Sequence, residues 1–383
     1  MLPPVRTLLA LLIVAAMTAT ACGDDSTAAG PEPATAPLDG PSDDTATAVE
    51  NAGGSSDDTT VDEPEPDDDA PASETASEPF LVRHKLGETL VPADPQRIFS
   101  LGVSDQDMVL ALGHVPVGIT DWYGDQPYAV WPWSQELLGD AQPALLDGAE
   151  PNPEIIAATE PDLIIGVTAG LTDEQYGVVS EVAPTVAQAE GYSDWGAPWQ
   201  VRARLIGEAL GQLDEADALV AAAEQKLADV RAEYPEWEGL EAAVAFQFNS
   251  DPGAYTSTDI RPQILAEMGF VTPAEYDELA QNEFYVSFSE ERIDLLDVDV
   301  IIWIVSDDAG MEAVLESPLR RLLPAANEGR EVFASPILGG AFSFANPVSI
   351  PYLVDELVPE IALAVDGDPE TKVPSAVAVG AVD

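Results

Sequence analysis

The side chains best suited to chemistry in this chain are aromatic, and they gather where strands are predicted to end. Trp122 and Tyr123 follow one apolar segment, and Trp131 and Trp133 lie a few residues on, among Pro and Gly. Tyr192, Trp195 and Trp199 precede a long helical stretch, and Tyr255, Tyr285, Phe342 and Phe344 mark the second half. Such rings can wall a pocket for a large ligand held by apolar contact and few polar groups. In open α/β sheets ligands bind beyond the carboxyl ends of the strands. A loop Trp also serves as a packing anchor, and Trp303, inside a strand, is assigned to the core. The candidates for ligand contact are Trp122, Tyr123, Trp195, Tyr255, Tyr285 and Phe344. Cations are scarce beside them. Arg261 follows the loop Tyr255-Thr256-Ser257-Thr258-Asp259 at a helix start, where a guanidinium can meet a hydroxamate or carboxylate oxygen. Its alternative is an ordinary surface position.

Other chemistries find less support. His84 and His114 are the two histidines, and neither belongs to a spaced ligand cluster of the kind transition metals use. Neither a resident metal nor a cofactor is expected, although haem through Tyr123, Tyr255 or Tyr285 stays open. Catalysis lacks its usual signatures: there is no nucleophile elbow, P-loop or dinucleotide fingerprint. A surface hydrolase working through two carboxylates is the competing class, but no spacing singles out a pair. With 14 Lys and Arg against 70 Asp and Glu, the net charge of −56 excludes a phosphate-binding surface and hence nucleic acid. Adaptation to a saline habitat, rather than function, is the expected source of most of that charge.

Cys22 is the only cysteine in 383 residues. It follows Arg6, a short apolar run from Leu8 to Met17, and the small residues Ala19-Thr20-Ala21, the pattern of a cleaved secretory signal. The run is too short to cross a bilayer, which takes about 20 residues. Ala-Thr-Ala-Cys resembles a bacterial lipobox with Ala19 where Leu is usual, implying lipidation of Cys22; an ordinary signal with an incidental cysteine is the alternative. Residues 23–79 carry no Lys or Arg and are rich in Asp, Glu, Ser, Thr, Pro, Gly and Ala. They cannot bury enough apolar surface to offset chain entropy, so they are expected to form a disordered tether.

The remaining elements alternate as in an α/β fold. Strands are expected at residues 98–101, 115–119, 162–167, 184–187, 242–248, 298–305 and 331–334. Helices are expected at 105–112, 153–160, 260–268, 290–296, 311–323 and 349–357. Residues 199–235 read as one helix roughly 50 Å long. A near-repeat flanks it: Glu154-Ile155-Ile156 precedes Asp162 by the same interval that separates Glu291-Arg292-Ile293 from Asp299, and a buried strand follows each Asp. This suggests two similar lobes.

Residues 153–166 (Pro153 to Gly166, with Glu154 and Asp162), Ser289-Glu290-Glu291-Arg292-Ile293 with 299–304, and residues 347–357 resemble, in order and spacing, segments of the substrate-binding lipoproteins of ferric-siderophore and cobalamin-type ABC importers. The resemblance covers essentially the whole globular part. It implies two Rossmann-like α/β lobes joined by a single long α-helix, with the ligand in the cleft between them. The resulting plan is a signal peptide (1–21), lipidated Cys22 with its acidic tether (22–79), an N-terminal lobe (80–198), the linking helix (199–235), a C-terminal lobe (236–366) and a flexible tail (367–383). The resemblance further implies a monomeric, extracytoplasmic, membrane-anchored receptor for a ferric siderophore, not an enzyme, with haem or cobalamin as alternative ligands. It assigns Glu154 and Glu291 to docking on an ABC permease; as acids at helix N-termini both are also favoured by the helix dipole. Relatives that take catecholates often place several basic groups in the cleft, and their scarcity here favours a neutral or weakly charged chelate.

Overall fold

The computed structural model describes residues 78–382 apart from 149, 194–195, 249–250, 282 and 306. Cys22, the signal and nearly all of the tether lie outside the described residues, as does Trp195. The described residues fall within one unit, Ser73–Asp383.

The first lobe opens with an antiparallel hairpin of β1 (Phe80–His84) and β2 (Gly87–Val91). It continues through β3 (Ile98–Ser100), α1 (Asp105–Ala111), β4 (Gly118–Asp121), α2 (Gln135–Leu138) and β5 (Ala144–Asp147). Then come α3 (Pro153–Ala158), β6 (Leu163–Ile165), α4 (Asp173–Ser180), β7 (Thr185–Val186) and α5 (Trp199–Ala209). The sheet order is β5-β4-β3-β6-β7, all parallel. Covered on both faces, its central strands are apolar without alternation: every residue of β3 and β6 is buried. β4 starts at Gly118 rather than at 115 because Pro116 has no N–H to give a ladder.

After α6 (Leu213–Glu233), the second lobe comprises β8 (Ala242–Phe248), β9 (Asp251–Tyr255), α7 (Ile260–Glu267), α8 (Ala274–Ala280), β10 (Tyr285–Ser287) and β11 (Val300–Ile304). It ends with α9 (Asp308–Glu316), α10 (Pro324–Asn327), β12 (Glu331–Ala334), α11 (Pro336–Ser343), α12 (Ser349–Ala364) and α13 (Pro374–Ala378). The order is β10-β9-β8-β11-β12, with β8, β11 and β12 parallel and β9 antiparallel to both of its neighbours. The near-repeat is one device used twice. The Asp162 carboxylate accepts the N–H groups of Gln96 and Arg97 at 2.9 Å just before β3, and Asp299 accepts that of Glu241 at 2.7 Å just before β8. Each Asp thereby sets the register of its own strand against the central one.

Several expectations need correction. Residues 199–235 are not one helix: Gly211, at φ 68°, turns the chain, and α5 folds back along α6. A Cβ on Gly207 would lie 2.3 Å from that of Ala216, and Arg204 meets Asp217 at 2.6 Å. The long helix is α6 alone, 21 residues and about 32 Å. Its start is held on the first lobe by Gln212, whose Oε1 accepts from His114 Nε2–H (2.7 Å) and whose Nε2–H donates to the Leu112 carbonyl (3.1 Å). Its end is held on the second by Arg231, which pairs with Glu238. Second, the tail after residue 366 is not loose: Val373 and Ala376 are buried, and Ser375 Oγ accepts the Phe333 N–H of β12 at 3.0 Å. Third, the segment 311–323 ends its helix at Glu316, ahead of Ser317-Pro318, and 290–296 is a 3-10 helix.

Candidate functional site

Between the lobes two groups of side chains meet. The first is apolar with a buried acid at its centre. Trp131 and Trp133, from the loop after β4, stack at 5.2 Å with their planes 3° apart. The ring of Trp131 lies 6.2 Å from Phe344 of the second lobe, and that of Trp133 lies 5.6 Å from Tyr352. Trp131 needs two glycines: a Cβ on Gly124 would come within 2.5 Å of it, and one on Gly340 of α11 within 2.3 Å. Beneath the rings, Asp107 Oδ2 accepts Trp133 Nε1–H at 2.7 Å and Asn346 Nδ2–H at 2.8 Å. One carboxylate oxygen of α1 thus joins both lobes. Burial pushes the Asp107 carboxyl above the ordinary range, opposed by those hydrogen bonds.

The second group is charged. Arg261, in the first turn of α7, gives Nε–H and Nη2–H to the two oxygens of Asp259 at 2.7 and 2.8 Å. Its guanidinium carbon stands 3.3 Å from the centre of the Tyr255 ring, and Nη1 donates to Ser343 Oγ at 3.2 Å. Burial works against the Arg261 charge, but Asp259 and Tyr255 hold its pKa above the ordinary value. The Tyr255 hydroxyl is pushed up by burial. Arg202 of α5 feels Asp259 and Asp105, and also the like charge of Arg261; its own burial lowers its pKa. Asp105 is fully buried at the start of α1, where it accepts the Thr168 N–H (3.1 Å) and hydroxyl (2.8 Å). Burial lifts its pKa from 3.8 to about 6. Gly102 permits that approach, since a Cβ there would lie 2.0 Å from Asp105 Oδ2.

Of the residues singled out from sequence, Tyr123, Tyr255, Arg261 and Phe344 come together between the lobes. Tyr123 lies 6.3 Å from Phe344, ring to ring, and couples electrostatically to Tyr255. Trp122 is half-buried after β4. Tyr255 and Tyr285 are not in loops: they are cross-strand partners on β9 and β10. Tyr285 packs on Phe246 and Phe284 at 5.9 and 5.0 Å, so it supports Tyr255 from within the sheet. Phe342 and Trp199 are fully buried and structural, and Trp303 is core as expected. Glu154 is exposed in the first turn of α3, and Glu291 is exposed on the 3-10 helix of 290–296. Sequence reasoning passed over Arg202, Asp105, Asp107 and Asn346. The one local hint was Asp259 itself, two residues before Arg261, a spacing that lets an N-cap acid reach the guanidinium.

The arrangement offers an aromatic wall, one guanidinium paired with a carboxylate and a second under the influence of two, suited to holding a bulky, polar ligand of modest charge. Residues 98–336 match the profile of the family described as periplasmic binding protein. A curated relative, Probable siderophore-binding lipoprotein YfiY of Bacillus subtilis, is 27% identical over 237 residues, 60% of this chain and 70% of its own. Among solved structures, a periplasmic solute binding protein of Mycobacterium smegmatis is 35% identical with a TM-score of 0.67, covering 75% of this chain and 99% of its own. PiaA of Streptococcus pneumoniae, solved in complex with ferrichrome, is 26% identical with a TM-score of 0.65 over 75% and 99%.

Proposed function

The chain belongs to the periplasmic binding protein family, and from that premise we propose that it is the extracytoplasmic binding component of an iron-chelate ABC importer. It captures a ferric siderophore between its lobes and delivers it to a membrane permease. The observation that carries this reading is the meeting of Tyr123 and Phe344 with Arg261 on Tyr255, contributed by both lobes. A chelate presents an apolar periphery and a ring of oxygens around the metal; the aromatic rings suit the first and guanidinium N–H groups the second. The siderophore-binding relative and the ferrichrome complex of the Streptococcus protein support the same ligand class.

Cys22 is the lipid anchor in this reading, and the acidic segment 23–79 the tether that lets the lobes reach the permease. Glu154 and Glu291 supply the docking charges, both exposed and both on helical segments leading into the buried strand that closes the repeated unit. Reversing both charges should leave chelate affinity unchanged and abolish import by cells; import that survives the double reversal removes them from the interface.

The direct test uses the tryptophans. Trp131 and Trp133 lie in the seam between the lobes, so ligand capture should quench their emission. The full chain is titrated with ferric hydroxamates, ferric catecholates, haemin and cobalamin. Saturable quenching by a ferric chelate at micromolar concentration or below is the expected result. A saturable response to haemin or cobalamin alone, or to none of the four, would sink the iron-chelate reading.

A further inference from the structure

We infer that Asp259 sets the charge preference of the inter-lobe site: as a built-in counter-ion it keeps Arg261 for chelates of low net charge and disfavours polyanionic ones. The inference rests on the reading of the cleft as a chelate site. Its basis is the way Arg261 is engaged. The planar fork gives parallel bonds to both Asp259 oxygens, at 2.7 and 2.8 Å, a geometry that binds a carboxylate about as well as any ligand carboxylate could be bound. Asp259 is itself held, since its Oδ1 also accepts the Arg261 backbone N–H at 3.0 Å as the N-cap of α7. Both members of the pair are nearly buried.

Arg202 does not restore a surplus of positive charge, because the carboxylates of Asp259 and Asp105 both act on it electrostatically. The four groups, two of each sign, sum to about zero when all are ionised. A polyanionic chelate entering here must either pull Arg261 from its bidentate, capping partner or be buried beside the Asp259 carboxylate. Both are unfavourable where charges are desolvated. An uncharged chelate needs neither; it takes the guanidinium N–H groups that Asp259 and Ser343 leave over, together with the rings of Tyr123 and Phe344. Asp259 acts through Arg261 and is a specificity-determining residue without itself touching ligand.

Asp259→Asn isolates the charge, because Asn keeps the side-chain size and caps a helix as well as Asp does. The full chain and this variant are titrated by tryptophan fluorescence with an uncharged ferric trihydroxamate, with ferric citrate and with a ferric tris-catecholate. Thermal unfolding confirms that each variant is folded. The wild type should favour the uncharged chelate. In Asp259→Asn, affinity for the two anionic chelates should rise about tenfold or more while that for the uncharged one changes by less than about threefold. Asp259→Ser, which also retains a cap, should shift the ratio in the same direction. The gain should vanish in Asp259→Asn/Arg261→Gln, because the freed charge is then absent. An unaltered ratio in a folded Asp259 variant, or a gain that persists in the double variant, overturns the inference. A wild type that binds none of the three overturns the chelate reading, and this inference with it.

Discussion

Two buried arginine–carboxylate pairs in the second lobe use the same fork geometry to opposite ends. Arg320 gives Nε–H and Nη2–H to Glu331 at 2.8 and 2.6 Å, and Trp303 Nε1–H adds a third bond to the same carboxylate at 2.8 Å. The pair lies within the core, with Phe333 beside the guanidinium at 5.4 Å, and its side chains are 4% and 3% exposed. Arg261 and Asp259 are only a little more open, at 10% and 7%, yet their neighbours differ in kind. Around Arg261 stand a serine at the end of α11, the face of Tyr255, and charged groups of the other lobe. The first pair is closed on every side by one lobe, whereas the second is shared between two. Fork geometry alone does not separate the two pairs; what encloses each of them does.

The largest expected effect breaks the closed pair. Glu331→Ala leaves Arg320 buried and unmatched and strips Trp303 Nε1 of its acceptor. Removing one partner of such a pair costs about 3–5 kcal/mol, to be read from urea unfolding. Replacing both, as Arg320→Met/Glu331→Leu, should recover most of that loss, since apolar residues of similar volume often substitute for a buried pair. Asp259→Asn should cost less than half as much as Glu331→Ala, because Arg261 keeps Ser343 and Tyr255 and faces the space between the lobes. Equal losses at the two sites would erase the distinction drawn between them.

How much of this was legible in the sequence follows from where each signal resides. The apolar runs of β6 and β11 and the matched Asp162 and Asp299 are local patterns, and they yielded the two lobes. The turn at Leu210-Gly211-Gln212 was hidden because a single glycine, with no proline near it, is compatible with a helix; only the packing of Gly207 on Ala216 requires the reversal. β9 was hidden for the opposite reason. Asp251-Pro252-Gly253 has the composition of a turn, yet Gly253 is there because a Cβ would meet Phe246 Cζ at 2.2 Å across the ladder. Of the side chains that meet between the lobes, Tyr123, Arg261 and Phe344 were singled out through residue type and their position near predicted strand ends and loops. Arg202 and Asp105 were not, because they act on each other electrostatically across 97 positions of sequence, which no local pattern encodes. Asp107 and Asn346 meet only through the fold, with 239 positions between them.

The smaller expected effect sharpens the comparison from the other lobe, through Asp105. Its pKa is raised by burial from 3.8 to about 6, so between those values the folded state binds a proton that the unfolded state has released. Its contribution to stability is therefore complete below about pH 4 and is lost as the pH rises through about 6, amounting to at most about 3 kcal/mol. Asp105→Asn removes the titration. The variant should match the wild type near pH 4 and become progressively more stable than it up to neutrality, as measured by urea unfolding at a series of pH values. A constant difference across that range would show that Asp105 is ionised throughout. The same titration alters the balance of charge between the lobes. Protonating Asp105 leaves Arg202 less compensated, so acidification towards pH 5 should shift chelate preference in the direction that Asp259→Asn does, towards anions. In Asp105→Asn that pH dependence should disappear. No residue in the core around Arg320 and Glu331 can produce such an effect, because nothing in that pair faces the other lobe.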